Sequence, residues 1–184
     1  AGRPIDVPIL IGADGPKGLA VAREVADGVF SAAAPVVGDG PSWRAVLLFG
    51  TVLGKDEPVS SERVLDAAGH GLAVVYHALY ERGGAAAVDN LPGGPAWRAQ
   101  VEAAPARQRH LLTHENHLVA LTPRDRAALA DGASMLTSIS FTGTPDELRS
   151  KVAALQSAGA TEIAYQPAGP DIPSELERMR DALS

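Results

Sequence analysis

The chain has 184 residues, a net charge of −6 at neutral pH and no cysteine. At this length we expect one domain, 1–184, with a sizeable core. The absence of cysteine excludes disulfides, thiolate metal sites and a cysteine nucleophile. No basic run suggests a nucleic-acid surface, no apolar run reaches the roughly 18 residues of a membrane span, and no signal peptide opens the chain. We therefore expect a cytoplasmic protein with neither nucleic acid nor membrane as a partner.

The first predicted unit, residues 7–30, is a strand, a glycine-containing turn, a helix and a second strand. Pro8–Gly12 is a short apolar run, typical of a strand covered on both faces. The turn ends at Pro16, which suits the first position of a helix. Gly28 is expected to end this helix before the next strand. The spacing predicts that its apolar face consists of Leu19, Ala22, Val25 and Ala26.

Residues 44–84 predict a third buried strand and then a long helix. The strand covers 44–52, and Ser60 or Ser61 caps the helix, which continues at helical spacing to Gly83-Gly84. Gly69 and Gly71 inside this helix each destabilise it by about 1 kcal/mol. We expect that they permit close packing against a neighbouring helix, with a kink in the helix as the alternative.

The rest of the chain predicts short helices and one more strand. A loop covers 90–95, a short helix follows over 97–104, and further helices begin at Thr122 and Thr144. More than 100 residues separate the third strand from the last one, 162–166. One crossover helix does not need that length, so about 59–140 is expected to be a helical insertion. A closing helix carries an apolar face of Leu176, Met179 and Leu183.

Two separated motifs resemble those of a known family. The first is Gly12-Ala13-Asp14-Gly15-Pro16-Lys17 with the later Ala26-Asp27-Gly28, and the second is FTGTPDE over 141–147 with GATEI over 159–163. The first is similar to the G-A-x-G-P-K turn and A-D-G helix end of the luciferase-like monooxygenase superfamily. The second resembles that family's G-T-P-E-E helix start and G-x-T-E strand entry.

The resemblance implies an α/β fold of the (β/α)₈ TIM-barrel type. Such barrels typically need about 250 residues, so this chain resembles about the C-terminal four βα units. The implied activity is that of a flavin- or deazaflavin-dependent oxidoreductase or monooxygenase acting on a small molecule. The implied cofactor is FMN or coenzyme F420, and the implied partner is a second copy or a complementary N-terminal barrel half. Two alternatives remain open: a non-catalytic half-barrel that dimerises or binds a small ligand, and a different phosphate-binding barrel enzyme.

The turn after the first strand is the best candidate cofactor site. The resemblance implies that Gly12, Ala13, Asp14, Gly15 and Pro16 contact the phosphate-bearing tail of the cofactor. Backbone N–H groups at a helix N-terminus bind anions, and glycine permits close approach, although such a turn also occurs as plain geometry. The Asp14 carboxylate would repel a phosphate, so we expect it either to hydrogen-bond a ribityl hydroxyl or to cap the helix. Lys17 is either a compensating charge or a solvated side chain. The resemblance assigns no catalytic residue to this chain.

Histidine and polar side chains give weaker candidates. His110, His114 and His117 would share one face if this segment were helical, but Glu115 points off that face and HENH is not the zincin spacing. The sequence therefore assigns no metal site. His114 and His117 are predicted to line the substrate pocket, with ordinary structural histidines as the alternative. Gln166 and Gly169 follow the last strand at the rim where barrels place functional residues. They either approach a bound ring system, with Gln166 as a substrate contact, or form a turn that ends the strand. Glu57, after the third strand, is either functional or a solvated loop carboxylate.

Overall fold

The computed structural model describes residues 7–32, 34–35 and 40–184. The chain has an α/β fold and divides into two compact units, residues 1–48 with 149–166 and residues 49–148 with 167–184. The prediction of a single domain stays a prediction. Among the described residues, no helix is long and apolar enough to cross a membrane.

The first unit contains a four-stranded sheet whose order follows the chain. Its strands are β1 (Leu10–Gly12), β2 (Gly28–Ser31), β3 (Trp43–Phe49) and β4 (Glu162–Gln166). β1 pairs with β2, and β2 with β3, in parallel. The N–H of Thr161, just before β4, donates to the carbonyl of Arg44 near the start of β3, so β4 begins at the same end. The carboxyl ends of all four predicted strands therefore lie along one edge.

The third strand is shorter than predicted. β3 ends at Phe49, and Val52 instead forms an isolated parallel bridge with Gly143. The intervening Gly50 passes so close to another segment that a Cβ there would lie 2.0 Å from the carbonyl oxygen of Phe141. After β3 the backbone of 49–53 hydrogen-bonds in parallel to that of 141–143, a long-range pairing that sequence periodicity cannot predict.

Helix α1 (Pro16–Val25) begins where the sequence predicts, with Pro16 in its first turn and Gly15 as N-cap. Two details of the prediction are wrong. The helix ends at the C-cap Ala26, and Gly28 belongs to β2, where an added Cβ would lie 2.9 Å from the carbonyl oxygen of Trp43. Val25 is 59% exposed. The small core of the first unit consists of Ile11, Ala13, Leu19, Ala22, Ala26 and Val29.

Helix α7 (Pro145–Ser157) confirms the second predicted helix start. The Glu147 carboxylate accepts a hydrogen bond from the backbone N–H of Thr144 at 2.7 Å, and the Glu147 N–H donates to the Thr144 hydroxyl oxygen at 3.4 Å, the two hydrogen bonds of a capping box. At the other end Gly159 has a φ of +99°, a left-handed conformation that favours glycine. The predicted closure before β4 is therefore also confirmed.

The second unit is helical. Its long helix is α2 (Glu62–Arg82), capped by Ser61 and closed at Gly83 as predicted. No residue of 59–140 lies in a strand of the sheet, and the helical insertion over this range stays a prediction. The shorter helices are α3 (Gly94–Glu102), α4 (Arg109–Thr113), α5 (Pro123–Gly132), α6 (Leu136–Ile139) and α8 (Ile172–Leu183).

The core of the second unit is built on α2. A Cβ on Gly69 would lie 3.0 Å or less from Leu121 and Leu129, so close packing, and not a kink, accounts for this glycine. The closing helix α8 buries Met179 as predicted, but Leu176 and Leu183 are 48% and 38% exposed. The fully buried large side chains of this core are Val64, Leu72, Tyr76, Val88, Trp97, Val101, Leu129 and Leu136.

His70 is a buried base in this core without a hydrogen-bond partner. Its side chain is 3% exposed, and neither ring nitrogen has a partner among the described residues. The ring packs edge-on against Phe49 with centroids 5.5 Å apart. Burial lowers the pKa of His70 to about 4, because the charged form would lose its hydration.

We expect His70→Leu to weaken the acid sensitivity of the protein. Between about pH 6.5 and pH 4 the unfolded chain binds a proton at His70 and the folded chain does not, so stability falls as pH falls through that window. The free energy of unfolding of the variant should decrease less, by on the order of 2 to 3 kcal/mol, between neutral pH and about pH 4.5. Urea unfolding at the two pH values measures this difference. An equal decrease in both proteins would contradict it.

Candidate functional site

The turn 12–16 lies at the carboxyl edge of the sheet in the first unit. It connects β1 to α1, and the N–H of Ala13 donates to the carbonyl of Phe30 on β2 at 3.0 Å. Ala13 is buried by this contact, whereas Gly12, Asp14, Gly15 and Pro16 are exposed. The backbone of the turn is therefore held by the sheet and open to solvent on its other side.

Both glycines of the turn leave open space beside the backbone. Gly15 has a φ of −113°, and Gly12 is not among the glycines with a positive φ. Among the described residues, a Cβ on Gly15 would meet nothing within 4 Å, and one on Gly12 only the Phe30 carbonyl oxygen at 4.0 Å. Since neither packing nor backbone conformation explains the missing side chains, the turn leaves room for an outside group to reach its backbone.

The N-terminus of α1 adds donors to this opening. Gly15 has no side chain with which to cap the helix, and Pro16 has no N–H. The N–H groups of Lys17 and Gly18 have no partner within the helix, as in any first turn. Together with the helix dipole they favour an anion at this point. The Lys17 side chain is exposed.

Asp14 ties the turn to the end of β2. Its Oδ1 accepts hydrogen bonds from the Ser31 hydroxyl at 2.5 Å and from the N–H of Ala32 at 3.2 Å. This carboxylate oxygen is therefore engaged by the neighbouring strand. Ser31, buried at the carboxyl end of β2, was missed by the sequence analysis, because its partner is 17 residues away.

Gln166 ends β4 at the same edge of the sheet. Its side chain is half-buried, and three strand spacings of about 4.8 Å separate β4 from β1. Gln166 thus lies roughly 14 Å along the edge from the turn. Gly169 belongs to the other unit, where it packs against Ala67.

Glu57 forms a structural ion pair. Its two carboxylate oxygens accept from Nε and Nη2 of Arg63 at 2.7 and 2.6 Å, and one also accepts from the N–H of Gly54. Hydrogen bonds from Arg63 lower the pKa of Glu57 to about 2. Arg63 also contacts the buried Glu175 at 2.6 Å, and Glu175 accepts from the buried Thr51 hydroxyl. The carboxylate is therefore engaged in holding the start of α2 and α8.

The histidines are arranged differently from the predicted helical face. α4 ends at Thr113, and a turn with left-handed Asn116 and Leu118 follows. This turn brings His114 and His117 beside His77 of α2, whereas His110 remains exposed on α4. The sequence analysis missed His77, which is 40 residues from His117.

Comparisons with known proteins include a distant structural likeness. No protein-family model matches the chain, and no curated protein matches it. Among solved structures, the coenzyme F420 dependent tetrahydromethanopterin reductase from Methanopyrus kandleri has 19% sequence identity and a TM-score of 0.48. That match covers 94% of this chain and 49% of the reductase chain. The chain therefore spans about half the length of that protein.

We expect Gly12→Ala to leave stability unchanged or to raise it by up to about 1 kcal/mol, since alanine restricts the unfolded chain and meets no close atom in the fold. The matched control is Gly28→Ala, whose Cβ would lie 2.9 to 3.0 Å from Trp43 and Leu10. This control should destabilise the protein by about 1 to 3 kcal/mol. Chemical denaturation of both variants tests the contrast. Equal destabilisation would show that Gly12 is a structural glycine.

Proposed function

We propose that the chain supplies the tail-binding part of the cofactor site in a luciferase-like flavin- or deazaflavin-dependent oxidoreductase. The observation that carries the proposal is the turn 12–16: two glycines whose Cβ positions are open among the described residues stand at a helix N-terminus without a side-chain cap. The motif resemblance over 12–17 and 141–147 supports the same family. FMN and coenzyme F420 both carry a phosphate on a ribityl chain, so this turn fits either.

Each residue of the turn has a separate role in this proposal. The backbone at Gly12 and Gly15 permits close approach of the phosphate, and the N–H groups of the first turn of α1 donate to it. Asp14 is fixed by Ser31 and Ala32, so it orients the turn and presents its other oxygen to a ribityl hydroxyl. The bound cofactor supplies the redox chemistry, while these residues bind and orient it. Gln166 is proposed to face the substrate.

A partner chain is part of the proposal. Among the described residues, the outer strands of the order β1-β2-β3-β4 each have one neighbour in the sheet, whereas a barrel strand has two. An open edge pairs readily with another strand. We propose that a complementary N-terminal barrel half, or a second copy of the chain, lies against these strands.

The first test is the intact mass of the protein isolated under native conditions, with an absorbance spectrum of the same sample. We expect a bound flavin or deazaflavin chromophore, accompanied by a chain of about half-barrel size or a second copy. A colourless homodimer that binds neither FMN nor F420 would contradict the oxidoreductase and favour the non-catalytic half-barrel. Binding of simple phosphate esters without affinity for either cofactor would favour a different phosphate-binding barrel enzyme.

The second test is Gly15→Ser in the same assembly. A serine at this N-cap accepts a hydrogen bond from the first turn of α1 and stabilises the helix, but its side chain occupies the opening. We expect unchanged or slightly raised thermal stability and at least tenfold weaker binding of FMN or F420 in a fluorescence titration. Val21→Ala, at a 52% exposed position on α1, is the control and should bind normally. Unchanged binding by Gly15→Ser would remove the turn from the cofactor site.

A further inference from the structure

Three histidine rings of the second unit converge on one point. Nδ1 of His77 lies 3.0 Å from Nδ1 of His117, and Nδ1 of His114 lies 3.4 Å from the same atom. One nitrogen from each ring lies within 4.8 Å of the other two. His77 is 3% exposed, whereas the His114 side chain is 41% exposed. The cluster is therefore anchored in the core and reached from solvent.

Hydrogen bonding among the rings alone does not account for this arrangement. A neutral imidazole nitrogen carries either one proton or one lone pair. Nδ1 of His117 can therefore make one good hydrogen bond, to either His77 or His114, and leaves the other Nδ1 facing it without a match. A cation at the centre would accept the lone pairs of all three nitrogens at once.

A carboxylate on the outer side of the His114 ring favours that lone-pair arrangement. Nε2 of His114 lies 2.7 Å from Glu81, whereas Nε2 of His77 lies 3.8 Å from Asp125, beyond hydrogen-bond distance. A carboxylate beside Nε2 keeps the proton on that nitrogen and leaves Nδ1 as a ligand, the usual support of a metal-bound histidine. Asp125 is itself fixed by the indole N–H of Trp97 at 2.7 Å and by the Thr122 hydroxyl.

We propose that His77, His114 and His117 bind a divalent transition-metal ion such as Zn²⁺ through their Nδ1 atoms, with a fourth position open to solvent. Imidazole suits Zn²⁺, Cu²⁺ and Ni²⁺. Tetrahedral zinc with nitrogens at 2.0 to 2.1 Å places them about 3.3 Å apart, close to the two distances of 3.0 and 3.4 Å. A three-histidine set with an open position is typical of zinc that binds water or a substrate. The site does not depend on the proposed cofactor turn.

The chain contains few other imidazole or thiol groups that could bind zinc in a metal titration. It contains five histidines and no cysteine, so outside the cluster only His70 and His110 carry an imidazole. His70 is buried in the core. His110 is exposed three residues after Arg107 and serves as the matched control.

The experiment is a zinc titration of the full chain, without a histidine tag, after chelator treatment. We expect one Zn²⁺ per chain and a rise in thermal midpoint with zinc, both retained by His110→Ala. His114→Ala and His117→Gln should bind zinc at least 100-fold more weakly, with circular dichroism spectra like that of the parent. Affinity should also fall as pH is lowered, because protons compete for the imidazoles. The absence of stoichiometric zinc binding, or equal loss in His110→Ala, would overturn the site.

Glu81→Gln tests the orienting role of the outer carboxylate. Loss of such a partner typically weakens metal binding by about 10- to 100-fold, and we expect a decrease in that range. A Co²⁺-substituted sample should show the same weakening together with an altered visible spectrum. Unchanged zinc affinity and an unchanged Co²⁺ spectrum would overturn the assignment of Glu81 as the residue that positions His114.

Discussion

The close contact of three strands at Leu10, Gly28 and Trp43 is the constraint on which the first unit depends. These residues are paired across β1, β2 and β3, and a Cβ on the middle one would lie 3.0 Å or less from both neighbours. A shift of one residue would place a side chain in that space and move every side chain to the opposite face. The contact of Leu10, Gly28 and Trp43 therefore fixes the register of the three strands. Because the strands are parallel, it also fixes the turn 12–16 and Ser31 at the same edge.

The second unit depends on a buried carboxylate. Burial by itself opposes ionisation of Asp125, but the adjacent His77 ring, hydrogen bonds from Thr122 and Trp97, and the nearby Arg124 outweigh it and lower the pKa of this carboxyl to about 2. Arg124 in turn donates to the carbonyl of Leu112 at 2.6 Å. Arg124 thus connects the start of α5 with α4, just before the histidine turn.

The sequence predicts those parts of the fold whose causes are local. The caps at Ser61, Thr122 and Thr144 all form where expected, because a cap involves residues only three positions apart. The apolar strands are found for the same reason. The end of β3 at Phe49 was missed because it depends on Phe141, and the exposure of Val25 depends on how much of α1 the sheet covers.

The candidate sites differ in the same way, because some consist of neighbouring residues and others of residues distant in the sequence. The turn 12–16 was found because its residues are consecutive, whereas Ser31 could be found only from the fold. The three-histidine cluster was missed because the sequence places His110, His114 and His117 on one helix, while the helix ends at Thr113. His77 could be found only once α2 and the turn after α4 were placed together.

The structure distinguishes glycines whose Cβ positions are blocked from glycines whose Cβ positions are open, whereas the sequence does not. Gly28, Gly50 and Gly94 would each place a Cβ within 3.0 Å of a backbone atom, so the fold alone explains them. Gly12 and Gly15 look the same in the sequence, yet their Cβ positions are open. Alanine at Gly12 would cost the fold little and would reduce the entropy of the unfolded chain. A glycine that stability does not require points to something that must approach the backbone, which is the physical argument for a ligand at this turn.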